Sequence, residues 1–113
     1  MIAKNAIIEA LDALAHEVRL DAFLKLVEAG PTGLSAGTLA STLGVAPNAL
    51  SFHLNRLKQA DLVVSRRDGQ RMVYAARYDR VEGLRDFLTE RCCAASAEAC
   101  SPGCGARRAE VNS

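Results

Sequence analysis

No cysteine occurs in the first ninety-one residues of this 113-residue chain. All four lie within E-R-C-C-A-A-S-A-E-A-C-S-P-G-C-G-A-R-R, as Cys92, Cys93, Cys100 and Cys104. No apolar run approaches the roughly 20 residues that a membrane span requires, so no membrane partner is expected. The N-terminus carries acidic residues by Glu9 and Asp12 and lacks a signal-peptide pattern, so a cytoplasmic protein is expected. In that compartment a cysteine cluster points to a soft-metal or redox site rather than a disulfide framework. No C-x-x-C stands beside a βαβ pattern, no phosphate loop is present, and no histidine is placed as a cysteine's catalytic partner. These absences argue against a thiol enzyme such as an arsenate reductase or oxidoreductase. Internal repeats and a second domain are also missing, leaving one small domain with a modest core.

A large charge excess is absent as well. The net charge is only +1, so overall balance does not announce nucleic acid. The distribution is more informative. Residues 1–55 carry three Lys/Arg against five Asp/Glu, residues 56–80 seven against three, and residues 81–113 four against five. A basic segment between acidic ones is a candidate anion-binding face.

Apolar periodicity predicts a first helix over about 4–15, carried by Ile7, Leu11 and Leu14. Leu20, Phe23, Leu24 and Val27 predict a second, stopped by Gly30-Pro31. Ser35 can cap a short third helix that closes at Gly44, and Pro47 opens a fourth at a tolerated first position. Two β-rich runs then flank Asp68-Gly69, a strong hairpin signal. A final helix is expected from about Asp79 to Cys93, with Val81, Leu84 and Leu88 on one face. Past it the chain loses apolar period and is expected to be mobile. The expected division is residues 1–93 as one folded domain and residues 94–113 as a flexible cysteine-containing tail. The class is mainly α with a β-hairpin, α+β.

The third and fourth helices, joined by L-G-V-A, form a helix-turn-helix pattern. Leu50, His53, Leu54 and Leu57 share the inner face of the fourth helix, where His53 is expected to be packed or hydrogen-bonded. His16, at the start of the second helix, is expected to be structural too. Pro47, Asn48, Ser51, Phe52, Asn55 and Arg56 make the outward stripe. Its amides and hydroxyl suit base edges, and its aromatic suits a thymine methyl. The hairpin adds Arg66, Arg67, Gln70 and Arg71, within reach of phosphates or a narrow minor groove. These ten residues are the candidate DNA-binding set.

The stretches A-L-A-H-E-V-R-L-D-A-F-L-K-L and L-A-S-T-L-G-V-A-P-N-A-L-S-F-H-L-N-R-L-K-Q-A-D-L-V-V-S-R-R-D-G-Q-R-M-V-Y resemble the ArsR/SmtB family of bacterial metal-responsive repressors. The likeness spans about residues 8–90. It implies a winged helix-turn-helix homodimer whose first and last helices form the interface. It also implies a repressor that leaves operator DNA when an inducer binds.

Two metal sites common in that family lack ligands here. The third-helix site reads like E-L-C-V-C-D-L, whereas this chain has G-L-S-A-G-T-L. The last-helix zinc site uses Asp and His, and this helix offers Asp79, Glu82 and Asp86 without histidine. Sensing is therefore expected at the tail cysteines. Thiolates select soft ions, including As(III), Sb(III), Zn(II) and Cu(I). Only Cys100 and Cys104 have a zinc-knuckle spacing, and the adjacent Cys92-Cys93 pair suits one poorly. As(III) needs three thiolates in a pyramid and no fourth ligand. The ending D-F-L-T-E-R-C-C also resembles arsenic-responsive members. Cys92, Cys93 and Cys100 are the expected ligands, with Cys104 the spare. The alternatives are another thiophilic metal (Cd, Pb, Zn), thiol oxidation, or a DNA binder with an inert tail.

Overall fold

The computed structural model describes residues 3–90. Within them the chain forms α1 (Lys4–Leu14), α2 (Glu17–Ala29), β1 (Leu34–Ser35), α3 (Ala36–Leu43), α4 (Pro47–Gln59), β2 (Val63–Asp68), β3 (Arg71–Ala76) and α5 (Tyr78–Thr89). No helix among the described residues is long and apolar enough to cross a membrane. The four cysteines, the domain boundary expected at residue 93 and the last residues expected in α5 lie outside the described residues.

Most boundaries follow from capping chemistry. The Ser35 hydroxyl accepts from the Thr38 N–H at 3.2 Å, satisfying a donor that the first turn of α3 leaves unpaired. Gly44 ends α3 in the left-handed region, at φ 69°. Pro47 occupies the first turn of α4, where its missing N–H costs nothing. Gly30, at φ 83°, turns the chain out of α2. At the other end of α2, His16 acts as the cap, its Nδ1 accepting from the Val18 N–H at 3.2 Å.

The sheet runs β1-β3-β2, all antiparallel. β1 was not expected from the sequence. It pairs Leu34 with Tyr74 and Ser35 with Val73. The hairpin loop also sits one residue later than expected. Asp68 stays in β2 opposite Arg71, so Gly69 and Gln70 form the loop. Gly69 has φ 66° while Gln70 is not at positive φ, the pattern of a type II′ turn rather than an Asp-Gly type I′ turn.

The core is drawn from every layer but one. Leu26 of α2, Leu39 of α3, and Leu50, Leu54 and Leu57 of α4 are almost wholly buried, joined by Leu62 and Val63. No polar or charged residue is buried among the described residues. α5 contributes no buried residue. Its first turn is anchored: the Tyr78 hydroxyl donates to the Val27 carbonyl at 2.7 Å, and Val81 packs against the core. Leu88 stays exposed, as do Ile8 and Leu11 of α1 and Leu20 and Leu24 of α2.

The approach of β1 to β3 depends on Gly33. A Cβ there would lie 2.2 Å from the Tyr74 carbonyl oxygen, and φ is 74°. Gly33→Ala should therefore destabilise the domain by about 2–3 kcal/mol in chemical denaturation. Gly37→Ala, which meets nothing within 4 Å, should instead stabilise it by about 0.5 kcal/mol through helix propensity.

Candidate nucleic-acid interface

Burial on one side of α4 decides what the other side presents. Leu50, Leu54 and Leu57 face the core, so Asn48, Ser51, Phe52 and Asn55 face solvent. Phe52 is 71% exposed, more than any other large hydrophobic side chain among the described residues. An aromatic left this bare, between two amides and a hydroxyl, makes a surface suited to base edges and thymine methyls. Pro47 is exposed at the same end of the helix.

Arg56 departs from the expected stripe. Its guanidinium pairs with Asp12 of α1, and only 30% of its side chain is exposed. It clamps α4 to α1 rather than standing free beside Asn55. A second clamp lies one turn earlier. The rings of His53 and His16 meet at 4.5 Å between centroids, tilted by 41°. His53 Nδ1 is buried without a hydrogen-bond partner. His53 is packed, as expected, but that nitrogen is not hydrogen-bonded.

The hairpin carries its arginines on both faces. Strand pleating puts Arg67 with Met72 on one side, and Arg66 and Arg71 with Val64 on the other. Arg66 donates to the Thr32 carbonyl at 2.9 Å, which steadies it against the loop before β1. Arg71 lies 3.8 Å from Asp68, an exposed pair that solvent weakens. Gln70 is exposed at the tip. Lys58, absent from the expected site, donates from Nζ to the Ser65 hydroxyl at 2.8 Å and links α4 to β2. Its position in the basic segment was the available signal, but the tie to Ser65 depends on the fold.

The resulting surface has an exposed polar helix face beside a basic hairpin. The helix-turn-helix domain family matches residues 14–66 of the chain. The HTH-type transcriptional regulator YgaV of Escherichia coli (strain K12) is 35% identical over 74 residues, covering 66% of this chain and 73% of that protein. An ArsR-like transcriptional regulator from Rhodococcus sp. RHA1 superposes with TM-score 0.67 at 27% identity, covering 76% of this chain and 78% of that one. The chain belongs to the ArsR/SmtB family. The crystal structure of a possible transcriptional regulator for arsenical resistance is also similar, with TM-score 0.64, 26% identity, and 73% and 82% coverage. As an ArsR/SmtB member the chain is a winged-helix transcriptional regulator and not an enzyme. Among its described residues, no group of three or more His, Cys, Asp or Glu is arranged to hold a metal ion.

Two outcomes follow from this geometry. Arg67→Ala and Arg71→Ala should each weaken binding to any duplex and lower the salt slope by about one, because phosphate contacts release counterions. Asn48→Ala or Ser51→Ala should instead relax sequence choice, by about 1–3 kcal/mol per lost base contact. Fluorescence anisotropy across a salt series separates the two classes.

The histidine clamp gives a pH dependence. Burial first, then the neighbouring His16 and Arg19, holds His53 below its ordinary 6.5, so the fold favours the neutral ring. Its contribution to stability is present above pH 6.5 and is lost as pH falls through the lower folded value. Thermal melts from neutral pH down to about pH 5 should show a shallower acid loss in His53→Phe than in the native chain.

Proposed function

We propose that the chain is an arsenite- or antimonite-responsive repressor that binds operator DNA as a homodimer. Release follows when As(III) binds the thiolates of Cys92, Cys93 and Cys100. The observation that carries this reading is a separation along the chain. The DNA-facing surface lies wholly on α4 and the hairpin, whereas every thiol follows α5, which contributes no buried residue and is tied to the body by Tyr78 and Val81 of its first turn.

Dimerisation is supported by apolar surface that the monomer leaves uncovered. Ile8 and Leu11 on α1, and Leu88 on α5, are exposed at 43–60%. A C2 pairing of these helices would bury them and give the assembly two α4 helices for two half-sites.

The donor set supports a trivalent arsenical. Arsenous acid exchanges its three hydroxyls for three cysteine sulfurs, each hydroxyl leaving as water with the proton of the incoming thiol, and needs no fourth ligand. A soft ion of this kind prefers sulfur to the carboxylates of α5. The likeness to a possible transcriptional regulator for arsenical resistance supports an arsenical as the inducer. Site closure beyond α5 would shift this helix in the dimer. The inducer acts only through its greater affinity for the arrangement that no longer fits both half-sites.

Cys92→Ser and Cys93→Ser should each keep operator affinity within about twofold yet abolish release by arsenite, since a hydroxyl does not replace a thiolate for a soft ion. Cys104→Ser should respond almost normally. Arsenic-edge X-ray absorption should find about three sulfur neighbours in the native chain and about two in Cys100→Ser. Titration with Sb(III), Cd(II), Pb(II), Zn(II) and peroxide alongside arsenite identifies the inducer. A Cys92→Ser/Cys93→Ser double variant still released by arsenite would overturn the proposal.

A further inference from the structure

Two helices of this chain end in the same hydrogen-bonded motif with different residues at its critical position. After α3, the Gly44 N–H donates to the Ser41 carbonyl at 3.3 Å and the Val45 N–H to the Ala40 carbonyl at 3.1 Å. After α4, the Asp61 N–H donates to the Lys58 carbonyl at 3.0 Å and the Leu62 N–H to the Leu57 carbonyl at 3.1 Å. Both are Schellman caps, whose left-handed residue is usually glycine. Gly44 meets that preference. Asp61, at φ 61°, is the one non-glycine residue at positive φ among the described residues. A side chain kept where the backbone favours none draws attention to what that side chain touches.

Its carboxylate faces two arginines at the start of α5. Asp61 Oδ1 lies 3.8 Å from Arg77 Nη1, and Oδ2 lies 3.6 Å from Arg80 Nη2. Arg77 also binds Asp79 through two contacts, at 3.3 and 2.9 Å, which fixes its plane. The Arg77 N–H donates to the Leu62 carbonyl at 2.9 Å, so backbone and side chains bridge the same two segments. The two arginine side chains are 32% and 25% exposed and the Asp61 side chain 59%, so the cluster is partly open to water and acts through its geometry together with the backbone bridge rather than through strong ion pairing.

We propose that Asp61 is a positioning residue that joins the end of α4 and the root of the hairpin to the first turn of α5. The angle at which α5 leaves the body then sets where α4 lies. The inference rests on the dimeric operator reading above and adds the residue through which the dimer helix orients the DNA-reading helix. α5 has 12 residues and is therefore about 18 Å long, so a rotation of about 10° at its first turn moves its far end by about 3 Å. The same geometry works in reverse: a small displacement of the far end becomes a rotation at the joint.

A cap alone and a joint predict different things for glycine. If Asp61 only caps α4, Asp61→Gly equals or exceeds the native chain in every assay. If it is a joint, Asp61→Gly melts at the same temperature or higher but orients α4 less strictly. The probe is a two-fold symmetric duplex selected by the native protein from a random-sequence library, with variants lengthened by two base pairs between half-sites. The native chain should lose about tenfold or more in affinity on lengthening, since half-site separation is fixed by the dimer. Asp61→Gly, Asp61→Asn and Arg80→Gln should each lose about threefold or less, while affinity for a single half-site stays within about twofold of native. A native spacing penalty retained in the Asp61 variants overturns the joint and leaves Asp61 a cap. A native protein that selects no symmetric duplex, or ignores spacing, overturns the dimeric operator reading and the joint with it.

Discussion

The rest of the molecule depends on the burial of one side of α4. Leu50, Leu54 and Leu57 are each at most 1% exposed and recur at i, i+4 and i+7. Each such side chain contributes about 1.5–3 kcal/mol by leaving water, so together they fix the helix about its own axis. A turn of one residue position would drive Ser51 or Asn55 into an apolar core without hydrogen-bond partners, a penalty that no surface contact offsets. The DNA-facing stripe is thus a consequence of packing. Asp12 and His16 on one side, and Ser65 on the other, then hold the helix against tilting.

How far the sequence could be read depended on whether the deciding contact was local. Ser35, Gly44, Pro47 and Gly30-Pro31 act within a few residues of themselves, and the helix limits they imply are those found. β1 is two residues long and exists only because β3 lies beside it, so no local pattern announced it. The hairpin was legible but not its turn, since Asp-Gly and Gly-Gln loops differ by the sign of one φ angle. Arg56 looked outward by position, yet its partner Asp12 is 44 residues away. The pairing of His16 with His53 was hidden for the same reason. Asp61 was the hardest to foresee, because a left-handed cap is normally announced by glycine.

Charge counting also changes meaning once the fold is known. The segment 56–80 looked like a single basic face. In the structure Arg56 answers Asp12, while Arg77 and Arg80 answer Asp61 and Asp79. Those arginines neutralise the protein's own carboxylates, and the field available to phosphate comes chiefly from Arg66 and Arg67 on the hairpin and from Lys58, with Arg71 offset in part by Asp68. A local excess that looked like affinity is in part internal bracing.

The interior of the described residues holds no polar or charged residue. Such a body offers no buried carboxylate to protonate and no interior cradle for an ion. Apart from the proton that His53 can take up, information enters it as force applied at its margins. Any sensing chemistry that can pull on the outgoing helix would therefore serve the same DNA-reading core, without a single change to the residues that pack it.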